Sequence, residues 1–274
     1  MVYSVKTGEA HSNPIAFTIV EMIVVMAIMS ILVALIEPAV QSARLASRKI
    51  ACLNNLRQLG IGMNSYVSAY GTFPPCQLKN VPISDSTRKG AANLYSVQSR
   101  MLNQMEQSDV FNSINFTVVP YFNIGLVMNH TAMYTSIDTF VCPADYSAPV
   151  IGAGRSSYRV NIGPTSAAFA WDIESSSGPF TSLRAYSPAD FADGISNTIG
   201  MSERLQGDWV TSTFRPGGDY PLGDALFTAD FGVTQSISLC RAVNQASSVS
   251  NVYESRGGET WLLAGYHCTY YNHV

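Results

Sequence analysis

Residues 16–37 read AFTIVEMIVVMAIMSILVALIE. Apart from Glu37 at its end, the stretch carries one charge, Glu21. About twenty such residues wound as a helix cross the hydrocarbon core of a bilayer. A carboxylate inside such a segment is costly to desolvate and marks a functional position by default. The fifteen residues ahead of the stretch are polar. A secretory signal peptide would have a shorter apolar region followed by a small-residue cleavage site. The stretch is therefore expected to stay attached, with residues 17–37 spanning the membrane and 1–16 forming a leader.

Beyond residue 37 the helical pattern continues. Ala39, Ala43, Ala46, Ile50, Leu53, Leu56, Leu59, Met63, Tyr66 and Tyr70 recur every three or four residues, which marks one face of an α-helix. Gln41, Arg44, Arg48, Asn55, Arg57 and Gln58 are assigned to the opposite, solvated face. Pro38 is expected to kink the helix at the water boundary. Gly60 and Gly62 weaken it by about 1 kcal/mol each. A helix from Phe17 to Tyr70 would be roughly 80 Å long at about 1.5 Å per residue. Its second half, residues 38–70, carries an apolar stripe that needs cover. Tyr70-Gly71-Thr72-Phe73-Pro74-Pro75 is a stop signal. Residues 76–100 read as a polar loop, and Met101 to Ile114 as a short helix. From Phe116 onward, short Val-, Thr-, Phe- and Tyr-rich runs alternate with turn residues. The predicted strands are Thr139–Cys142, Ser157–Ile162, Gly178–Phe180, Thr198–Glu203, Ala225–Thr228 and Thr260–Leu263.

The 274 residues suffice for one large domain or two small ones. A formal charge of −3 and the lack of a basic, aromatic-laced cluster argue against nucleic acid as a partner. Cys52, Cys76, Cys142, Cys240 and Cys268 form no CxxC. They allow one or two disulfides in an oxidising space, or a scatter of buried thiols. There is no HExxH and no GxSxG, so catalysis is not expected. His267 and Cys268 are neighbours, but adjacent residues of a strand point to opposite faces. Trp171, Trp209 and Trp261 read as core or surface anchors.

Ala16-Phe17-Thr18-Ile19-Val20-Glu21, followed by the apolar run, resembles the leader junction of type IV pilins and type II secretion pseudopilins. Further blocks resemble the pilin-like DUF1559 family. They are Pro38 to Arg44, Cys52 to Gly60, Tyr70 to Pro75, Phe140-Val141-Cys142-Pro143-Ala144-Asp145, Asp193-Gly194-Ile195-Ser196-Asn197-Thr198 and Ser202-Glu203-Arg204. The resemblance implies cleavage by a prepilin peptidase between Ala16 and Phe17, N-methylation of Phe17, and an assembly role for Glu21. Where the pattern has glycine before the cut, this chain has Ala16. Arg44, Arg48, Lys49 and Arg57 outnumber the leader's Lys6. The positive-inside rule alone would then put the body in the cytoplasm. The resemblance implies the reverse, with those charges serving the polar helix face. The chain ends at Tyr270-Tyr271-Asn272-His273-Val274, where the family pattern continues, so a shortened C-terminus is expected.

The expected fold is α+β and pilin-like: a long transmembrane-plus-extramembrane helix packed on a mostly antiparallel sheet with long irregular loops. Residues 71–274 would form the ectodomain. The expected role is a structural subunit of a pilus or secretion pseudopilus. It would sit as a single-pass protein in the inner membrane with its body on the extracytoplasmic side. Its partners would be prepilin peptidase, membrane lipid, sister subunits and an assembly platform. The alternative is a non-polymerising, membrane-anchored binding protein of the cell surface. No cofactor is expected. Asp193, Ser196 and Asn197 group hard oxygen ligands in a calcium-loop pattern, but Asp-Gly is more commonly a turn.

Overall fold

No glycine interrupts the chain between Phe17 and Leu59, and one helix, α1 (Ile19–Tyr70), occupies 52 residues. Its start is closed by a capping box. The Thr18 N–H and hydroxyl both donate to Glu21 Oε2, at 2.8 and 2.9 Å, and the Glu21 N–H donates to Thr18 Oγ1 at 3.3 Å. The helix runs through Pro38 without interruption. It ends where Gly71 takes φ +75° and returns its N–H to the Val67 carbonyl at 2.7 Å. A side chain there would meet the left-handed steric penalty that glycine escapes.

The computed structural model describes residues 18–76, 94–120, 123–145, 154–163, 178–181, 184–207, 220–221, 253–254, 257–264 and 270–271. The chain divides into two units, residues 1–47 and 48–274. In the first, every side chain of α1 from Ile19 to Ser47 is exposed. The helix is long and apolar enough to cross a membrane, and none of its apolar window is buried. Exposed apolar surface on that scale marks contact with lipid or another apolar partner.

In the second unit, the rest of α1 is part of the core. Cys52, Leu59, Gly62 and Met63 are buried, and Leu56 and Tyr66 pack against the same cluster. The inward face runs Arg48, Cys52, Asn55, Leu59, Gly62 and Tyr66, at alternating steps of four and three. The sequence placed Arg48 and Asn55 on the solvated face. Both are instead half-buried; Asn55 is drawn in because its amide donates to the Asp138 and Val141 carbonyls at 3.3 and 3.0 Å. Ile50, Leu53 and Tyr70, read as core-facing, are exposed.

Short elements close over this face. They are α2 (Val97–Arg100), a 3-10 turn at Leu102–Met105, α3 (Ser108–Asn112), α4 (Asn123–Met128), α5 (His130–Tyr134) and a 3-10 turn at Asp138–Phe140. The single helix expected over Met101–Ile114 is broken at Glu106, whose φ of +60° ends one turn before the next begins. The expected loop over 76–100 contains core: Leu94, Tyr95 and Val97 are buried. There Ser96 N bonds the Leu262 carbonyl, Ala264 N bonds the Leu94 carbonyl, and Tyr95 bridges to Leu263.

The strands are β1 (Tyr158–Asn161), β2 (Met201–Glu203), β3 (Tyr220–Pro221), β4 (Tyr253–Glu254) and β5 (Tyr270–Tyr271). One sheet has the order β2-β1-β5, with β1 antiparallel to β2 and parallel to β5. β3 and β4 pair antiparallel by themselves. The fold is therefore α+β, with less sheet among the described residues than expected. Thr139–Cys142 is a turn leading into extended chain, Gly178–Phe180 forms bends, and Thr260–Leu263 contributes only the bridge to Tyr95. Ala225–Thr228 lies outside the described residues. Trp261 is fully buried, donates to the Thr135 carbonyl at 2.8 Å, and stands 5.8 Å from the Phe140 ring.

Candidate functional site

Three places in the described chain carry chemistry beyond packing. The first is the start of α1. Glu21 Oε2 is engaged by Thr18, while Oε1 takes no hydrogen bond from any described residue. A carboxylate has lone pairs for several donors, so this one is oriented and still able to accept a cation. Ala16 and Phe17, the expected processing positions, lie outside the described residues, as do His267 and Cys268.

The second place is a disulfide between Cys52 of α1 and Cys142, 90 positions apart with Cα atoms separated by 4.8 Å. Sequence spacing left the pairing open; the structure joins these two. Both residues are almost fully buried. A hydrogen-bond lattice fixes the surroundings. Tyr158 of β1 donates its hydroxyl to the Cys52 carbonyl at 2.9 Å. The Cys142 N–H donates to Ser157 Oγ at 3.1 Å. Ser157 Oγ donates in turn to Asp145 Oδ2 at 3.3 Å and accepts from the Gln206 amide at 2.8 Å. The Gln206 N–H also donates to Asp145 Oδ2, at 2.8 Å. Glu203 faces Tyr158 in the β1–β2 register. Its carboxylate and the two sulphur atoms lie within 4.8 Å of one another. The Glu203 side chain is exposed overall, but partial desolvation of its carboxyl, and then the negative charge of Asp145, push it above its usual value. The sequence treated Cys142–Asp145 as a turn and Glu203 as part of a strand. Neither chemistry nor spacing linked them, since they are brought together only by tertiary folding.

The third place is the Asp193-Gly194-Ile195-Ser196-Asn197 segment. Asp193, Ser196 and Asn197 are exposed, Gly194 takes φ +78°, and the Asn197 amide donates to the Asp193 carbonyl at 2.8 Å. This is turn architecture, with the side-chain amide spent on closing the turn. The segment walls an open groove of about 280 Å³, lined on α1 by Leu56, Gly60 and Met63 and opposite by Phe73, Phe180 and Phe191. Asn64 and Thr198, also on its walls, donate to the Gly60 and Gly194 carbonyls. The groove is accordingly apolar in its chemistry.

The chain combines one helix long and apolar enough to cross a membrane with a disulfide-tied α+β body. Comparison with protein families adds a match over residues 41–266 to the family described as protein of unknown function (DUF1559). The chain belongs to that family. No curated protein matches the chain, and no solved structure does either.

Proposed function

We propose that this protein is a pilin-like structural subunit. It would be held in the inner membrane by α1 and assembled through that helix into a pilus or secretion pseudopilus. The observation that carries the reading is the double use of α1. Its first part buries nothing, while its second part is built into the core of a folded body and tied there covalently. The apolar surface is covered by lipid in the membrane and by neighbouring helices in a filament. The body is carried along because it shares the helix.

Glu21 gives such assembly a register. The carboxylate is steered by Thr18 and keeps an acceptor for the amino terminus of a neighbouring Phe17, made available by cleavage after Ala16. Pairing opposite charges away from water is favourable only at the correct alignment, because an unpaired charge there keeps its desolvation cost. The Cys52–Cys142 disulfide supports a body on the oxidising, extracytoplasmic side. Arg44, Lys49 and Arg57 are exposed on α1 and Arg48 is partly buried, which supports reading these charges as the helix's polar face rather than as a topology signal.

The groove beside Gly60 favours the second reading, a surface binding protein that stays monomeric. One experiment separates the two. Single cysteines are placed along residues 24–36, and membranes of cells expressing the full chain are cross-linked. Subunit assembly yields ladders, which Glu21→Ala abolishes while leaving membrane insertion intact. Monomers at every position would overturn the assembly reading, and undiminished ladders from Glu21→Ala would remove the carboxylate from it.

A further inference from the structure

We infer that the Cys52–Cys142 pair, in its dithiol form, joins Glu203 to make a binding site for a zinc-like divalent cation, so that metal and disulfide are alternative occupants of one place. Three elements distant in sequence converge there: α1 supplies Cys52, the extended chain after the Asp138–Phe140 turn supplies Cys142, and β2 supplies Glu203. In tetrahedral zinc sites the metal stands about 2.3 Å from thiolate sulphur and about 2.0–2.2 Å from carboxylate oxygen. Ligand atoms around one ion are then about 3.5–3.8 Å apart. The three ligand atoms here lie within 4.8 Å of one another while the two sulphurs are bonded; once reduced, the sulphurs must part to about 3.8 Å, the spacing that one ion holds.

The ligand types select the ion. Two thiolates are soft and favour zinc-class metals over calcium or magnesium. The two cysteines are buried while Glu203 is exposed, so the fourth position opens to water, as in three-ligand zinc centres. Asp145 lies near enough to act electrostatically on Glu203, and it adds negative charge around the cation. Its Oδ2 is held by Ser157 and the Gln206 N–H. The same Ser157 hydroxyl accepts from the Cys142 backbone, so the support of one ligand is tied to that of the neighbouring acid. Outer hydrogen bonds of this kind orient metal ligands.

The exchange balances. A thiol reductant, two R–SH, donates two electrons and two protons to the Cys52–Cys142 bond, leaving two thiols and R–S–S–R. Binding of M²⁺ displaces both thiol protons and joins two thiolates and the Glu203 carboxylate to the ion. In the reverse direction, a disulfide oxidant takes two electrons from the thiolates and, with two protons from water, leaves as two thiols. The Cys52–Cys142 bond closes and the ion is released. The dithiol form is also the first form of any newly made chain. An ion held there keeps both sulphurs from pairing with Cys76, Cys240 or Cys268.

The test uses the full chain in detergent, with cobalt(II) as the spectroscopic probe. After reduction by a phosphine, the chain should bind one cobalt ion with thiolate-to-metal absorption, which equimolar zinc removes. The oxidised chain should show none. Cys142→Ser should abolish the absorption, and Glu203→Gln, a substitution at an exposed position, should weaken affinity about tenfold or more. A Cys240→Ser/Cys268→Ser chain, which keeps all three ligands, should bind like the parent. No absorption in the reduced parent, its survival in Cys142→Ser, an unchanged affinity in Glu203→Gln, or its loss in the Cys240→Ser/Cys268→Ser chain would each overturn the inference.

Discussion

Replacing both Cys52 and Cys142 by alanine removes the one covalent tie between α1 and the chain 90 positions further on. In the loop-closure account, a crosslink across n residues lowers the entropy of the unfolded chain by about 2.1 + 1.5R ln n cal/mol/K. For the loop closed here that corresponds to about 4.6 kcal/mol at room temperature. Alanine at two buried positions adds a cavity cost on top. The whole folding stability of a domain is about 5–15 kcal/mol, so the tie is a large share of it. The assay is urea unfolding of the full chain in detergent, followed by the fluorescence of buried Trp261 and its companions. With a slope of about 2 kcal/mol per molar, the midpoint should fall by roughly 2 M. Using the double variant avoids stranding one thiol. A fall below about 0.5 M, at an unchanged slope, would refute the loop-closure reasoning.

Other consequences follow from the packing. Gly62→Val should cost about 1–3 kcal/mol in the same assay, because an added Cβ would stand 2.8 Å from Met105 Cγ and 3.1 Å from Met101 Cε. Trp261→Phe should cost about 1 kcal/mol beyond its smaller volume, since the partly buried Thr135 carbonyl loses its indole donor. Burial raises the hydroxyl pKa of both Tyr95 and Tyr158 above the ordinary 10.0. Their folded forms hold the proton where the unfolded chain releases it, so this contribution to stability is full below pH 10 and is lost as pH rises beyond it. An alkaline titration followed by tyrosinate absorbance should show two late tyrosines ionising together with unfolding. Early, independent ionisation of all tyrosines would contradict the burial.

The sequence reading located α1 almost to the residue, because a long apolar period and a stop made by Gly71 and the Pro74-Pro75 pair agree there. It found Leu56, Leu59, Met63 and Tyr66 on the inward face. It misplaced Ile50 and Leu53 because two neighbouring stripes of the helix are both apolar, and hydrophobicity alone does not choose between them. The choice is made by Cys52 bonding to Cys142 and by Asn55 reaching two backbone carbonyls. Ser157–Ile162 was legible as a strand from its β-branched and aromatic content. Thr139–Cys142 has similar content, but its backbone serves the turn and Ser157 instead of a ladder. The disulfide and its Glu203 neighbour were not legible, since their meeting depends on long-range folding that no local spacing encodes.

The steps of four and three from Arg48 to Tyr66 make this part of α1 a ruler. One residue inserted between Cys52 and Gly62 would turn everything beyond it by about 100° around the axis. Either the sulphur would then leave Cys142, or a side chain would be driven into the space that Gly62 leaves for Met101 and Met105. Seven inserted residues would nearly restore the angle but lengthen the rod by about 10 Å, more than its two fixed ends could absorb. The stretch is therefore frozen in length. From Ile19 to Ser47 every side chain of the helix is exposed, and there a change of length would alter how much grease the rod presents.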